Sequence, residues 1–354
     1  MSNAIVNGIA GAGGGIVAQI ITYPLQTVNT RQQTERVSEK SSGSSPAAST
    51  LVQLFQVVRN EGLGGLYSGL KPSLLGTAAS QGIYYSFYQA FKNKAEDIAR
   101  ANKRKGRGDG SPGMFSWLLV AALAGSVNVL LTNPIWVLVT RMQTHTQAER
   151  KIAEAKREAL LKEYSKNVLL KSSLSEELAE LDSVKPRPYG TCQAACEVYN
   201  ESGIAGFWKG IIPTLIMVCN PSIQFMIYES LLKRLRARRA AGRKGSINIT
   251  AMEIFLVGAM AKLGATVCTY PLLVVKSRLQ AKQEIGGNVS LRYSGTLDAI
   301  LKMIRYEGIG CFYKGMRTKI VQSVFAASVL FMVKEELVKA YDAIFIKRPT
   351  AIVK

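Results

Sequence analysis

Histidine is nearly missing: His145 is the single one in 354 residues. No acid–base constellation surrounds it, which argues against an enzyme built on general acid–base catalysis. Cysteine is sparse. The five, Cys192, Cys196, Cys219, Cys268 and Cys311, are odd in number, contain no CxxC pair, and three lie in or beside apolar stretches. A disulfide framework and a zinc site are therefore excluded, and free packed thiols are expected. Acidic residues are outnumbered, 24 against 45 Lys plus Arg, for a net charge of +21. That balance suits nucleic acid, an anionic membrane surface or an anionic solute. The glycine run Gly8–Gly15 lacks the dinucleotide fingerprint, because Ile16 stands where its last glycine is needed and no strand precedes it. Small residues at helical spacing in an apolar run serve close helix packing instead. The first residues carry no basic leader pattern, and the last four, Ala-Ile-Val-Lys, are not a Ser-Lys-Leu address.

What the chain does have is apolar length. Hydrophobic residues make up 47% and mean hydropathy is +0.10. They gather into six charge-poor segments, Ala4–Asn29, Leu70–Lys92, Met114–Thr140, Phe207–Leu232, Ala251–Val275 and Thr318–Val338. Each approaches or exceeds the roughly 20 residues that cross a bilayer as a helix. Beyond their first turn, the three odd segments hold no Asp or Glu. A nucleic-acid-binding protein would use the positive charge but would not need six such segments. Flanking Lys and Arg account for most of the excess charge, but not for Lys262, which stands nine residues before Pro271 inside the fifth segment.

One pattern occurs three times. Thr22-Tyr-Pro24 leads to Arg31 and Gln33, Thr132-Asn-Pro134 to Arg141 and Gln143, and Thr269-Tyr-Pro271 to Arg278 and Gln280. After each comes a short amphipathic stretch (Leu51–Asn60, Cys192–Asn200, Leu297–Tyr306) and then a signature ending in Gly69, Gly210 or Gly315. Recurrence at fixed spacing means a repeat architecture. Pro24, Pro134 and Pro271 are expected to kink the first, third and fifth apolar helices or to end their apolar part. Proline to terminal glycine spans 45 residues in the first copy, 44 in the third and 76 in the second. The surplus is a charged, helical-looking insertion at about 147–185, expected to be a solvated appendage. The organisation expected is repeat 1 over residues 1–99, a basic loop at 100–112, repeat 2 over 113–240, repeat 3 over 241–344 and a tail at 345–354.

A proline followed seven residues on by arginine, and later by glycine, aromatic, basic and glycine positions, in three in-phase copies, resembles the mitochondrial carrier family. Asn133-Pro-Ile-Trp136, Asn220-Pro-Ser-Ile-Gln-Phe225 and Tyr270–Gln280 are similar to its branch of peroxisomal nucleotide and dinucleotide carriers. The resemblance implies an all-α membrane protein of six transmembrane helices in three pseudo-threefold repeats, with short amphipathic helices between odd and even spans. It also implies a central solute site and alternating access.

Residue by residue, the family's inner gate falls on Gln26 and Asn29, Trp136 and Val139, and Leu273 and Lys276. No acid is among them, so the usual ion-pair ring is missing; Lys276 could face Trp136 as a cation–π pair or extend to the interface. Bracing glutamines are kept as Gln33, Gln143 and Gln280. The outer gate maps to Tyr88 and Lys92, Tyr228 and Glu229, and Glu335, with Lys92–Glu229 the one expected ion pair. Arg31, Arg141 and Arg278 match arginines that tie to a following acid; Glu61 and Glu307 stand at that position in the first and third copies, while the second has Ser202 there with Glu201 adjacent. The family's contact points become Gly76, Met217 and Gln322, with Gly76 read as leaving room for a bulky ligand. Polar neighbours are Gln19, Ser80, Tyr84, Asn128 and Asn220; Tyr84 or Tyr85 could stack on adenine. Asn220-Pro221 should unwind the fourth helix locally.

A charge as deep as Lys262 is expensive and faces water or a partner, so it is read as a phosphate contact. The function expected is exchange of NAD-type dinucleotides and adenine nucleotides, or, in the same fold, of ATP/ADP/AMP, coenzyme A, a flavin or folate. Membrane lipid and the solute are the expected partners, with no nucleic acid, cofactor or metal, and the chain acting as a monomer. The compartment, from resemblance alone, is the peroxisomal membrane, or else the mitochondrial inner membrane.

Overall fold

Apolar residues too numerous to share one core leave the chain two places to put them, against each other or into lipid. Both occur in the computed structural model, which describes residues 3–35, 50–106, 111–166, 189–241, 250–282 and 292–345. Among the described residues ten α-helices follow in order: α1 Asn3–Thr34, α2 Thr50–Leu66, α3 Leu70–Arg104, α4 Met114–Lys166, α5 Thr191–Ser202, α6 Ile211–Met217, α7 Asn220–Ala241, α8 Ala251–Gln280, α9 Thr296–Glu307 and α10 Met316–Phe345. Short 3₁₀ turns at Ile204–Trp208 and Ile309–Tyr313 link the amphipathic helices to the even spans of repeats 2 and 3. Large apolar side chains remain exposed along the outside, among them Leu75, Phe115, Leu119, Ile212, Met226, Phe255 and Val324. An outward apolar girdle is what a lipid-facing bundle shows. Three stretches, Met114–Arg157, Ile204–Arg239 and Met252–Gln280, are long and apolar enough to cross a membrane by a stringent hydropathy criterion.

The packing is cyclic. Each even span lies along the odd span of the next repeat: α3 on α4, α7 on α8, and α10 back on α1. The odd spans α1, α4 and α8 also meet one another. Threefold closure thus follows from three copies of one sequence pattern.

The prolines do not end their helices. Pro24, Pro134 and Pro271 lie inside α1, α4 and α8, which run on for another turn or more. Neighbouring groups take over at these points. Thr22, Thr132 and Thr269, each two residues before its proline, donate to the carbonyl four residues back, a bond that bends a helix. Pro134 leaves the carbonyl of Leu130 without its helical donor, and the indole Nε1 of Trp208 donates to that oxygen at 3.0 Å.

The fourth span breaks where Asn220-Pro221 predicts. Helix α6 stops at Met217, Val218 and Cys219 form a tight turn with three-residue hydrogen bonds, and α7 begins at Asn220. The insertion departs from expectation. Its first part continues α4 without interruption to Lys166, and Ala148 is buried and Glu149 pairs with Lys282. It is therefore packed at its root; residues 167–185 lie outside the described residues.

Candidate translocation site

The ends of α1, α4 and α8 that follow the prolines close into a ring. Arg31 Nε donates to the main-chain oxygen of Gln143 at 2.9 Å, Arg141 Nε to that of Gln280 at 3.0 Å, and Arg278 Nε to that of Gln33 at 3.0 Å. Each arginine thus reaches the next repeat, and the third returns to the first. Each guanidinium also holds a glutamate of its own repeat. Arg31 takes Glu61 through two 2.8 Å bonds, Arg141 pairs with Glu201, and Arg278 with Glu307. Glu201, not its neighbour Ser202, therefore completes the second copy. The planar guanidinium makes this possible, offering one edge to a carboxylate and Nε to a carbonyl.

Three further ties repeat around the axis. The residue before each proline reaches the signature loop of its own repeat: Tyr23 donates to Ser68 O at 3.0 Å, Asn133 to Lys209 O at 3.4 Å and Tyr270 to Lys314 O at 2.9 Å. Gly69, Gly210 and Gly315, with φ of 81°, 75° and 80°, start the even spans in the left-handed region. A Cβ on Gly315 would sit 3.0 Å from Asn29 Nδ2, and one on Gly210 would sit 3.2 Å from Lys276 O. Only glycine allows this backbone and this approach together.

The expected gate residues fill the ring's centre. Gln33 Nε2 donates to Asn29 Oδ1 at 2.7 Å and to Tyr270 Oη at 3.2 Å, while its Oε1 accepts from Ser277 at 2.7 Å. Asn29 Nδ2 donates to Gly315 O at 2.7 Å. Gln280 Oε1 accepts from Thr140, and Gln143 is likewise buried. The bonds at these positions run between neutral amides, hydroxyls and a main-chain carbonyl, where the family pattern has ion pairs. Gln26 is half-buried one turn above. Lys276 does not meet Trp136; its stem lies against Gly210. The Trp136 ring turns to the first repeat, 3.7 Å from where a Cβ on Gly76 would be, and Ile135 would be 3.0 Å from the same point. Gly76 is buried there. The space read from its missing side chain is thus used for packing between α3 and α4, not for a ligand.

Above the ring lie the other candidates. Lys262 is exposed on α8. Steps of four, three, four and three residues carry one helix face from Lys262 through Thr266, Thr269 and Leu273 to Lys276. Lys262 therefore shares the face of the gate positions. Gln19 donates to Ser73 at 2.9 Å, and Asn220 to Thr269 at 2.7 Å. Ser80 Oγ and Asn128 Oδ1 are enclosed with no protein partner. Met217 is half-buried at the end of α6, and Tyr84 stacks on Tyr88 with centroids 5.9 Å apart, whereas Tyr85 points outward at 70% exposure. Gln322 is buried on α10 and accepts from Lys319 Nζ at 3.2 Å.

At the opposite end the expected charges are paired along their own helices. Lys92 pairs with Glu96 at 3.9 Å and lies 5.8 Å from the Trp117 ring, and Glu229 pairs with Lys233 at 3.6 Å. The Lys92–Glu229 pair is not formed. Each of the two groups is instead held by the partner four residues along its own helix. Tyr228 is half-buried beside Glu229; the Glu335 side chain lies outside the described residues.

Two features escaped the sequence reading. Lys319 sits at the start of the sixth apolar segment, where a lysine reads as a flanking charge. Lys282 links the end of α8 to Glu197 at 2.7 Å and to Glu149 at 3.2 Å. Burial works against its charge, but the two carboxylates hold Lys282 protonated beyond its usual range. No spacing rule joins residues 149, 197 and 282; only the fold does.

Three helix pairs around one axis, bent at matched prolines and sealed at one end by a cyclic network, define a membrane solute carrier that opens to one side at a time. A family model described as Mitochondrial carrier protein matches residues 2–98, 111–239 and 248–343. The chain belongs to the mitochondrial carrier family. It is 62% identical over 96% of its length to the peroxisomal nicotinamide adenine dinucleotide carrier of Arabidopsis thaliana, 96% of which is covered. It is 33% identical to mitochondrial substrate carrier family protein Q of Dictyostelium discoideum, over 95% of this chain and 88% of that one. With the chloroplastic folate transporter 1 of Arabidopsis thaliana it shares 30% identity over 94% of each chain.

Proposed function

We propose that this protein exchanges NAD-type dinucleotides and adenine nucleotides, NAD against AMP or ADP, across the peroxisomal membrane by alternating access. The observation that carries the reading is the lysine-bearing, acid-free face of the central helices. Beyond their first turn and up to the prolines, α1, α4 and α8 hold no Asp or Glu, while Lys262 lies at helical spacing on the face of the gate positions. In a low-dielectric chamber such a charge seeks an anion. The likeness to a dinucleotide carrier supplies the class of anion, and that protein's name supplies the compartment.

The residues divide by depth. Lys262, Gln322, Asn220, Met217, Tyr84, Ser80, Gln19 and Asn128 surround the solute, with Gly76 setting the wall between α3 and α4. The ring of Gln33, Gln143, Gln280, Asn29 and Gln26, with Trp136 and Lys276, seals one side. Lys92, Glu229, Tyr88, Tyr228 and Glu335 close the other when the spans rock inward. The chain acts as a monomer in lipid, since one copy contains all three repeats.

Reconstituted exchange is the test. Liposomes carrying the purified protein should exchange labelled NAD and AMP, and Lys262→Ala should abolish exchange while the protein stays folded. Good uptake of a carboxylate or amino acid with none of NAD or AMP would overturn the substrate; wild-type rates in Lys262→Ala would remove that lysine from the site.

A further inference from the structure

Past the seal, three helices turn polar faces toward one cleft of about 360 Å³. From α2 come Gln53, Gln56 and Asn60, at helical spacing on one side, opposite the exposed Leu51 and Phe55. From α4 come Gln147, Arg150 and Lys151, which share a face by the same spacing. The third side belongs to α1. There Arg31 holds Glu61 through two 2.8 Å bonds, and Gln32 Nε2 donates to Gln53 Oε1 at 2.6 Å. The α1 and α2 walls are thus tied to each other. The α4 wall is the root of the insertion: α1 stops at Thr34 and α8 at Gln280, whereas α4 runs on to Lys166. The cleft therefore follows from the departure of repeat 2 from the shared pattern.

The Arg31–Glu61 pair is neutral as a unit, and Arg150 and Lys151 against Glu35 leave the cleft with a net positive charge. Among the described residues the side chains of Gln56, Asn60, Gln147 and Arg150 make no hydrogen bond or ion pair. A guanidinium offers paired donors that match a phosphate. Each amide offers donors and an acceptor together, which match sugar hydroxyls and the edge of a base better than a bare anion. The volume falls within the roughly 300–1,000 Å³ of small-molecule sites.

We propose that this cleft is a second, regulatory site for a nucleoside monophosphate arriving from the gate side, with its phosphate on Arg150 and its sugar and base among Gln56, Asn60 and Gln147. It is separate from the translocation chamber and bridges two repeats, α2 of the first and α4 of the second. Those walls meet at the ring, where Arg31 Nε donates to the main-chain oxygen of Gln143 at 2.9 Å. When that junction parts, the α4 wall leaves the other two and the site is lost. An effector that binds the sealed form alone holds the gate shut; at ten times its dissociation constant it favours that form about tenfold.

The experiment uses AMP as the probe and starts from Lys262→Ala, in which binding in the chamber, as read above, is removed. Equilibrium dialysis in detergent should still find AMP bound. Adding Arg150→Ala should weaken it by about tenfold to a hundredfold, the loss of one charge-assisted contact, and adding Gln56→Ala by a smaller factor. Both side chains are exposed, and thermal unfolding should confirm that the variants fold. No AMP on Lys262→Ala, or binding that ignores both substitutions, would overturn the site; inorganic phosphate competing as well as AMP would overturn the nucleoside assignment. Coupling is read from a protein with its native cysteines replaced and Lys262→Cys as the reporter. Gate-side AMP at ten times its dissociation constant should slow labelling by an impermeant maleimide about tenfold, and Arg150→Ala should abolish the slowing. Unchanged labelling would overturn the regulatory role. A wild-type protein that binds AMP in the cleft yet exchanges no nucleotide would overturn the exchange reading and leave this site standing.

Discussion

Replacing Gln33 with leucine removes the centre of the seal while keeping its volume. In the closed ring the side chain of Gln33 makes three hydrogen bonds. Two of them, to Tyr270 at 3.2 Å and from Ser277 at 2.7 Å, join repeat 1 to repeat 3. The third, to Asn29, stays within α1. A net value near 1 kcal/mol for each cross-repeat bond makes the closed ring about 2 kcal/mol less stable. The form opened on the gate side makes neither bond, so the equilibrium moves toward it by about 30-fold. The assay uses a variant with the five native cysteines replaced and Lys262→Cys as the reporter above the seal. An impermeant maleimide is then added from the gate side of sealed vesicles. Gln33→Leu should speed labelling by about the same factor as the equilibrium shift. Unchanged labelling in a variant that still folds and reconstitutes would refute the view that these amide bonds hold the chamber shut.

Glu307→Gln should lower thermal stability by about 3 kcal/mol, because Arg278 would be left buried and uncompensated. Burial pushes the Glu307 carboxyl up, but Arg278 and Lys314 more than offset this and hold it below the ordinary glutamate value of 4.5. A depressed native pKa means stability that is complete above 4.5 and lost as the pH falls through the native value. The unfolding difference between wild type and Glu307→Gln should therefore shrink on acidification below that point. Gly315→Ala forces an L side chain into the left-handed region against Asn29 and should cost about 1–2 kcal/mol in thermal unfolding. Gly82→Ala, in the middle of α3 with nothing within 4 Å of the added carbon, should be neutral or stabilising by up to about 1 kcal/mol.

The threefold plan was legible because each copy repeats the same local chemistry. A Thr-x-Pro bend, an arginine seven residues on and a glycine that must take positive φ can each be recognised without a structure. The arginine–glutamate ties could be paired from sequence for Arg31 and Arg278; in the second copy Glu201 stood one place off the pattern, and the fold accommodates it. What spacing could not show was what the arginines do with Nε, since the acceptors are main-chain oxygens, which every residue has. Gly76 misled for a related reason: a missing side chain says where room exists, not who fills it, and Ile135 and Trp136 do. The prolines were read as kinks or ends of the apolar helices because proline removes a hydrogen bond; the helices run on past them, and Trp208 serves the carbonyl of Leu130 freed at Pro134, 78 positions away. Lys319 was hidden by its place at a segment boundary, where charge is commonplace.

A ring of three arginine ties has no end at which to begin fraying. If one junction parts, its arginine keeps its glutamate but strands an Nε proton, and the partner carbonyl loses its donor as well, while two intact junctions still hold the spans together. Such a half-released arrangement is poorer than either the sealed or the fully parted one, so the three seams should yield together. Leakage of small ions during turnover is thereby suppressed by geometry alone, without any charged lock at the centre.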